Sequence, residues 1–280
     1  MGFRLFVRKT SVYFIMIAAL ILSMFPFAML LINSFKTNAQ ILASPFSLPG
    51  TIDFTNFKVA IQQMNYFRSF INTIIITFSS VAIILLFSSM TAHYFVRNKS
   101  KLNNLLFMLM VSSMIIPFQS IMIPLVSVYG KMLGWINVMP QPTLIFMYIG
   151  FGSPLAVFIY HGFIKSLPFE LEQAAYIDGC SRRQTFFKIV LPILSPTSVT
   201  IAILHILWIW NDFLLPLIVL QNAGKEMLTL PLAIQVFKDI YSTDYAKFLP
   251  GILLITLPVL LIYVFAQRYI IQGVTQGAVK

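Results

Sequence analysis

Long apolar runs separated by short polar stretches set the pattern of this chain. Crossing a hydrocarbon core of about 30 Å takes roughly 20 predominantly apolar residues in a helix. Six segments meet that requirement, at approximately residues 11–33, 70–95, 102–129, 142–164, 196–220 and 248–269. The pattern predicts an all-α polytopic membrane protein with six transmembrane helices in one domain, residues 1–280, embedded in a lipid bilayer. Pro117 and Pro124 lie within the third run and predict a kinked helix whose freed carbonyls face protein or water. The first run follows Arg4, Arg8 and Lys9, as the core of a signal peptide would. It is too long for that role and lacks an A-x-A cleavage site, so an uncleaved first span is expected.

The connections on one side are long. Residues 34–68 contain "SPFSLPGTIDFTNF", whose proline and glycine punctuation predicts an ordered loop of short turns. A short turn is expected near 131–141, and "TLPLAIQVF" within 221–247 reads as a segment dipping back as an interfacial hairpin. No internal repeat or low-complexity tract interrupts this organisation.

Composition agrees with a membrane protein. The chain is 59% hydrophobic and 10% charged, whereas soluble domains run about 45–50% apolar and about 25% charged. One cysteine excludes a disulfide framework within the chain. A net charge of +11 would suit nucleic acid, but the basic residues are scattered between apolar blocks, which excludes that partner class. They follow the positive-inside rule instead. With the N-terminus inside, 12 of the 19 basic residues fall on the cytoplasmic side, including Arg97, Lys99 and Lys101 of the tight "RNKSK" loop. Both termini are then cytoplasmic, with Arg268 and Lys280 adding to the same side.

One cytoplasmic stretch, "ELEQAAYIDGCSRRQTFFKIVLPILSP" (Glu170–Pro196), concentrates three acidic and three basic residues between spans four and five. It reads as two short helices around a tight break. Pro168 suits a helix start, and Glu170 and Glu172 then sit near the positive end of the helix dipole. Leu171, Ala174, Ala175 and Ile177 form an apolar-to-small surface, and Gly179 is a natural left-handed cap. Ser181 is placed to cap a second helix, which Pro192 disrupts before the fifth span. The plainer reading of such a stretch is an amphipathic connector lying on the membrane.

The spacing is more specific than that. "QAAYIDGCSRRQTFFKIVLP" resembles the EAA loop of ABC importer permeases, E-A-A-x3-G-x9-I-x-L-P, through Gln173, Ala174, Ala175, Gly179, Ile189, Leu191 and Pro192. Six of the seven fixed positions match, and the exception is Gln173 where the pattern has glutamate, with Glu172 just before it. "IPFQSIMIPL", "GFIKSLPFELEQAAYIDG" and "WNDFLLPL" extend the resemblance to the carbohydrate-uptake subgroup, the maltose and glycerol-phosphate permease-like family.

The resemblance implies a permease subunit in the bacterial inner membrane, paired with a second homologous permease. Two cytoplasmic ATPase subunits would dock on the loop at about 166–195, which would act as the coupling helix. An extracytoplasmic solute-binding protein would deliver a sugar or related solute. Glu172, Gln173 and Asp178 are then expected to meet basic groups on the ATPase, while Ala174, Ala175 and Gly179 allow close backbone approach. Gln173 keeps a hydrogen-bond acceptor without the charge, so the ionic contact is expected either to be weaker or to be taken over by Glu172. No cofactor is expected on this chain, because no G-x-x-x-x-G-K-[ST] loop is present. ATP and Mg²⁺ belong to the partner ATPases.

Asp212 is the one acid inside a predicted span, and an intramembrane ionisable group is a functional candidate by default. Helical spacing puts Trp208, His205, Ile201 and Ser198 on its face. Two readings stand for this region. In one, Trp210, Asn211, Asp212 and Phe213 line a sugar path together with Gln119; in the other they pack helices or form a gate. His161, His93 and His205 lack metal-ligand spacing, so no metal is expected. Gly152 and Ala156 form a small-xxx-small pair for close helix packing. The competing function is an ion-gradient-driven secondary transporter with Asp212 and His205 as coupling groups, which leaves the EAA spacing unexplained. An intramembrane enzyme lacks a supporting motif such as H-E-x-x-H.

Overall fold

The structure, a computed structural model, describes residues 2–239 and 242–278, without the side chains of 2–9, 266 and 268–278. Lys280 and the side chains of Arg4, Arg8, Lys9 and Arg268, all counted for orientation, therefore lie outside the described residues. Among the described residues the regular structure is helical, apart from an isolated bridge between Lys238 and Thr243.

Four helices are long and apolar enough to cross a membrane, at Thr10–Asn33, Tyr66–Arg97, Pro140–Ser166 and Tyr245–Phe265. Two more spans result if each of two sharply bent helix pairs counts as one crossing. The chain opens with α1 (Gly2–Asn33), followed by the short helices α2 (Asn38–Ala43) and α3 (Thr55–Gln63) of the predicted ordered loop. Helix α4 (Tyr66–Arg97) comes next, buried along Thr73, Ile76, Thr77, Ser80 and Ile84, a three-to-four residue stripe.

The predicted third span is not a kinked helix but two helices, α5 (Lys101–Ser113) and α6 (Phe118–Val126). They meet at 98° around Met114–Pro117. A proline disfavours helical geometry in the residue before it, and Pro117 itself is extended at ψ 135°, so the helix stops there instead of bending through. Pro124 is accommodated inside α6, and a π-helical turn at Ser127–Met132 follows. Next come α7 (Trp135–Val138) and α8 (Pro140–Ser166), the latter with proline in its first turn.

Beyond the polar connector α9 (Glu170–Ile177) and α10 (Arg182–Thr185), a π-helical turn at Phe186–Val190 leads into α11 (Leu191–Ile193). The axis then bends by 71° into α12 (Ser195–Asn211). Pro192 lacks the N–H a regular helix would use, which accounts for the wide turn before it, and the bend that follows lies just ahead of Pro196, which lacks its N–H in turn. The predicted fifth span, 196–220, is likewise interrupted: α12 ends at Asn211 and α13 (Leu214–Leu220) begins two residues later. A one-turn α14 (Leu230–Ala233) and the long α15 (Tyr245–Ala278) complete the chain.

The chain divides into two compact units. One comprises residues 2–67 and 233–258. Its centre is Lys36, 1% exposed, whose ammonium donates to Asn33 Oδ1 at 3.0 Å and to the carbonyls of Ser44 and Pro45 at 3.1 and 3.2 Å. Phe35, Phe54 and Phe57 pack around the same turn. Asn38 then ties the loop to the start of α15, donating to Asp244 at 3.1 Å and accepting from the Ala246 N–H at 2.8 Å. Gly251 permits the close approach of Ile234 and Phe237, since an added Cβ would meet Met64 Sδ at 3.1 Å.

The second unit, 68–232 with 259 onward, holds the main core. Helix α8 packs on α5, α12 and α13, and its buried Leu144, Tyr148, Ala156, Tyr160 and Ile164 face Ile84, Leu194, Ile201 and Leu220. His205 reaches across from α12, with Nδ1 2.8 Å from the Ile201 carbonyl and Nε2 3.0 Å from the Gly152 carbonyl. Gly152 is the condition for that contact. A Cβ there would stand 2.7 Å from Ile84 and 2.9 Å from the imidazole.

Candidate functional site

The polar connector folds as a helix–turn–helix knob. Helix α9 closes with a Schellman motif: the Cys180 N–H donates to the Ala175 carbonyl at 2.9 Å and the Gly179 N–H to Tyr176 at 3.1 Å. Gly179 adopts φ +84° to make this turn, a conformation glycine reaches without a Cβ penalty. Ser181 then caps α10 and forms a full capping box with Gln184, a reciprocal pairing that the S-x-x-Q spacing encodes.

The two faces of α9 differ sharply. Gln173, Ala174, Ile177, Asp178 and Gly179 are exposed, and Ile177 retains 86% of its surface. Ala175 and Glu172 are buried, Glu172 to 2%. The Glu172 carboxylate is fully engaged within the chain. Arg97 Nε donates to Oε1 at 2.7 Å, and His93 Nε2 lies 3.0 Å from Oε2. Arg97 also donates to the Leu167 carbonyl at 3.3 Å and lies over the Phe169 ring, while His93 packs against Phe186. The expectation that Glu172 reaches outward to a partner is therefore corrected: its phase on α9 points it at the end of α4. His93 and Arg97, one helical turn apart near that end, were the sequence signal for this.

The later half of the EAA pattern is less buried than Glu172 and Ala175. Ile189 and Leu191 are half-buried in and after the π-helical turn, and Pro192 is exposed. Leu191 and Pro192 border a groove with Ala82, Leu85 and Tyr160.

The residues assigned to a solute path do not all meet in one place. Gln119 is exposed on α6. Trp210 is 2% exposed and set edge-on to Phe70, so it belongs to the core rather than to a lining surface. Asn211 is exposed, and Asp212 and Phe213 are half-buried at the break between α12 and α13. Asp212 is consequently not an acid within a continuous helix. Its Oδ1 accepts from the Leu214 N–H at 3.1 Å, capping the new helix, and its Oδ2 accepts from the Tyr148 hydroxyl at 3.0 Å. Trp208, 41% exposed, stands edge-on to both Tyr148 and His205. Tyr148 escaped the sequence reading because nothing about one hydroxyl in an apolar span announces its partner.

A chain whose described residues are helical, with four bilayer-length helices and two bent pairs that would make six spans, is a multi-pass membrane protein in class. Residues 84–276 match the model of the "binding-protein-dependent transport system inner membrane component" family, and the chain belongs to that family. It is 42% identical over 274 residues to a probable starch degradation products transport system permease of Thermoanaerobacterium thermosulfurigenes, with 98% of each chain covered. It is 37% identical to a multiple sugar-binding transport system permease of Streptococcus mutans, covering 93% of each. A melibiose/raffinose/stachyose import permease of Bacillus subtilis is 36% identical, with 91% of each chain covered. The fold matches one chain of a bacterial ABC transporter that imports the acidic polysaccharide alginate, with a TM-score of 0.73 at 19% identity, covering 95% and 96% of the two chains. The protein is thus an ABC-importer permease of the inner membrane. Membership excludes the ion-driven alternative, and the groups it would have used are accounted for by Tyr148 and by the two carbonyls around His205.

Proposed function

We propose that this chain is one half of the membrane pathway of a sugar importer, with both termini and the α9–α10 knob on the cytoplasmic side. It pairs with a second homologous permease, and two ATPases that bind ATP and Mg²⁺ dock on the knob. An extracytoplasmic binding protein delivers the solute. The relatives named for starch products, multiple sugars and melibiose-type oligosaccharides support the carbohydrate class.

The observation that carries the docking role is the division of α9 into two faces. Glu172 and Ala175 hold the helix to the chain, leaving Gln173, Ala174, Ile177 and Asp178 presented outward. A groove on an ATPase receives a small, apolar, weakly charged ridge of this kind. Because Glu172 is committed to Arg97 and His93, the ionic part of the contact falls to Asp178, and Gln173 contributes a neutral hydrogen bond. The same commitment explains force transfer: a push on α9 acts directly on the end of α4 through a buried ion pair.

Ala174→Trp tests this without backbone strain, since the position is helical and exposed. Expected is loss of ATPase co-purification with normal membrane insertion and normal pairing with the second permease. ATPase recovery equal to wild type would remove the docking assignment. Reconstitution with the ATPases and the binding protein should give ATP-dependent sugar uptake.

A further inference from the structure

The inner side of the knob encloses a cavity of about 430 Å³ that the docking role does not use. Arg97, Arg182 and Arg183 line it together with His93, and Glu172 is its one carboxylate. Three guanidiniums against one carboxylate leave a surplus of positive charge. Both Glu172 oxygens are spent on Arg97 and His93. Arg182 and Arg183 have no ion-pair or hydrogen-bond acceptor for their side chains among the described residues. Arg182 and Arg183 are exposed at the rim of the cavity, where two guanidiniums without a counter-anion attract an anion, and the fork of an arginine suits phosphate oxygens.

The rest of the lining says which anion. Met90, Tyr94 and Phe187, each 41% exposed or more, form an apolar and aromatic margin on the side of α4. Helix α4 is a membrane-length helix that ends at Arg97, so the cavity lies at headgroup depth. Aromatic rings and arginines gather at that depth, and basic pockets beside spanning helices hold anionic headgroups.

We propose that this cavity binds one anionic phospholipid. Its phosphate is held by Arg182 and Arg183, and its acyl chains run over Met90, Tyr94 and Phe187. A zwitterionic lipid fits poorly, because its own cation meets the surplus positive charge. The outward face of α9 is a different surface, so the inference is independent of ATPase docking.

The test uses the full chain, purified in detergent, delipidated and titrated with phosphatidylglycerol under native mass spectrometry. Wild type should retain one phosphatidylglycerol selectively over phosphatidylcholine. Arg182→Gln/Arg183→Gln should bind it about thirtyfold more weakly, as the loss of two interfacial arginines implies. Arg182→Lys/Arg183→Lys should keep most of the affinity and shows that the positions tolerate change. Unchanged retention in the glutamine variant, or equal retention of phosphatidylcholine, overturns the proposal. So does displacement of the lipid by millimolar inorganic phosphate, which would assign the cavity to a soluble anion. A glutamine variant that binds lipid normally but loses its ATPase would assign both arginines to the motor contact instead.

Discussion

Glu172 shows how much a single buried charge decides. Removing one partner of a buried pair costs about 3–5 kcal/mol, because the other charge is left uncompensated. Arg97 and His93 keep 16% and 18% of their side-chain surface, so the lower end applies here. Glu172→Gln should lower the thermal unfolding midpoint and open residues 176–184 to protease. Glu172→Met with Arg97→Met together should be less damaging than either alone. A glutamine variant as stable and as protected as wild type would mean that the pair does not anchor α9. Gly152 makes a second case at this scale. Gly152→Ala forces a Cβ into Ile84 and His205 and should cost about 1–3 kcal/mol, read as a lowered melting temperature. Gly150→Ala, two residues away with open space around it, should be neutral or slightly stabilising.

At the scale of elements, the existence of the spans was legible from the lengths of apolar runs, whereas their interruptions were not. Pro117 announces a disturbance, but its size depends on whether the freed backbone groups find partners nearby, which no run length encodes. The break at Asp212 looked like an acid inside a helix, because capping of Leu214 and the bond from Tyr148 exist only once α8 and α12 are packed. The Gly179 and Ser181 caps, by contrast, are local signals and could be read directly. The phase of α9 could not, since an eight-residue helix with acids at both Glu170 and Glu172 offers two plausible buried faces.

The junction of the 34–56 loop with α15 carries a pH dependence. Burial raises the pKa of Asp244, but hydrogen bonds from Lys247 and Asn38 outweigh it and hold the group below its ordinary 3.8. A carboxylate with a depressed pKa stabilises the fold fully above 3.8 and loses that contribution as pH falls through the lower value. The loop should therefore become more protease-sensitive below about pH 4, and Asp244→Asn should flatten that profile.

Across the whole molecule, most of the exposed large hydrophobic surface is what a bilayer must cover. The spans differ widely in how much of their surface this chain itself covers. Within their 18-residue apolar windows, 44% of the residues of α8 and 39% of those of α4 are buried, whereas the window of the first helix has none. Its last residue, Asn33, is nevertheless buried and accepts from the ammonium of Lys36. The first helix is thus held at Asn33 and, through Phe25, against Phe46 of the following loop. The large apolar side chains from Val12 to Met24 are exposed, so shuffling Leu, Ile and Met among those positions should leave the fold intact. Any position that resists such shuffling would mark where a neighbouring subunit reads it.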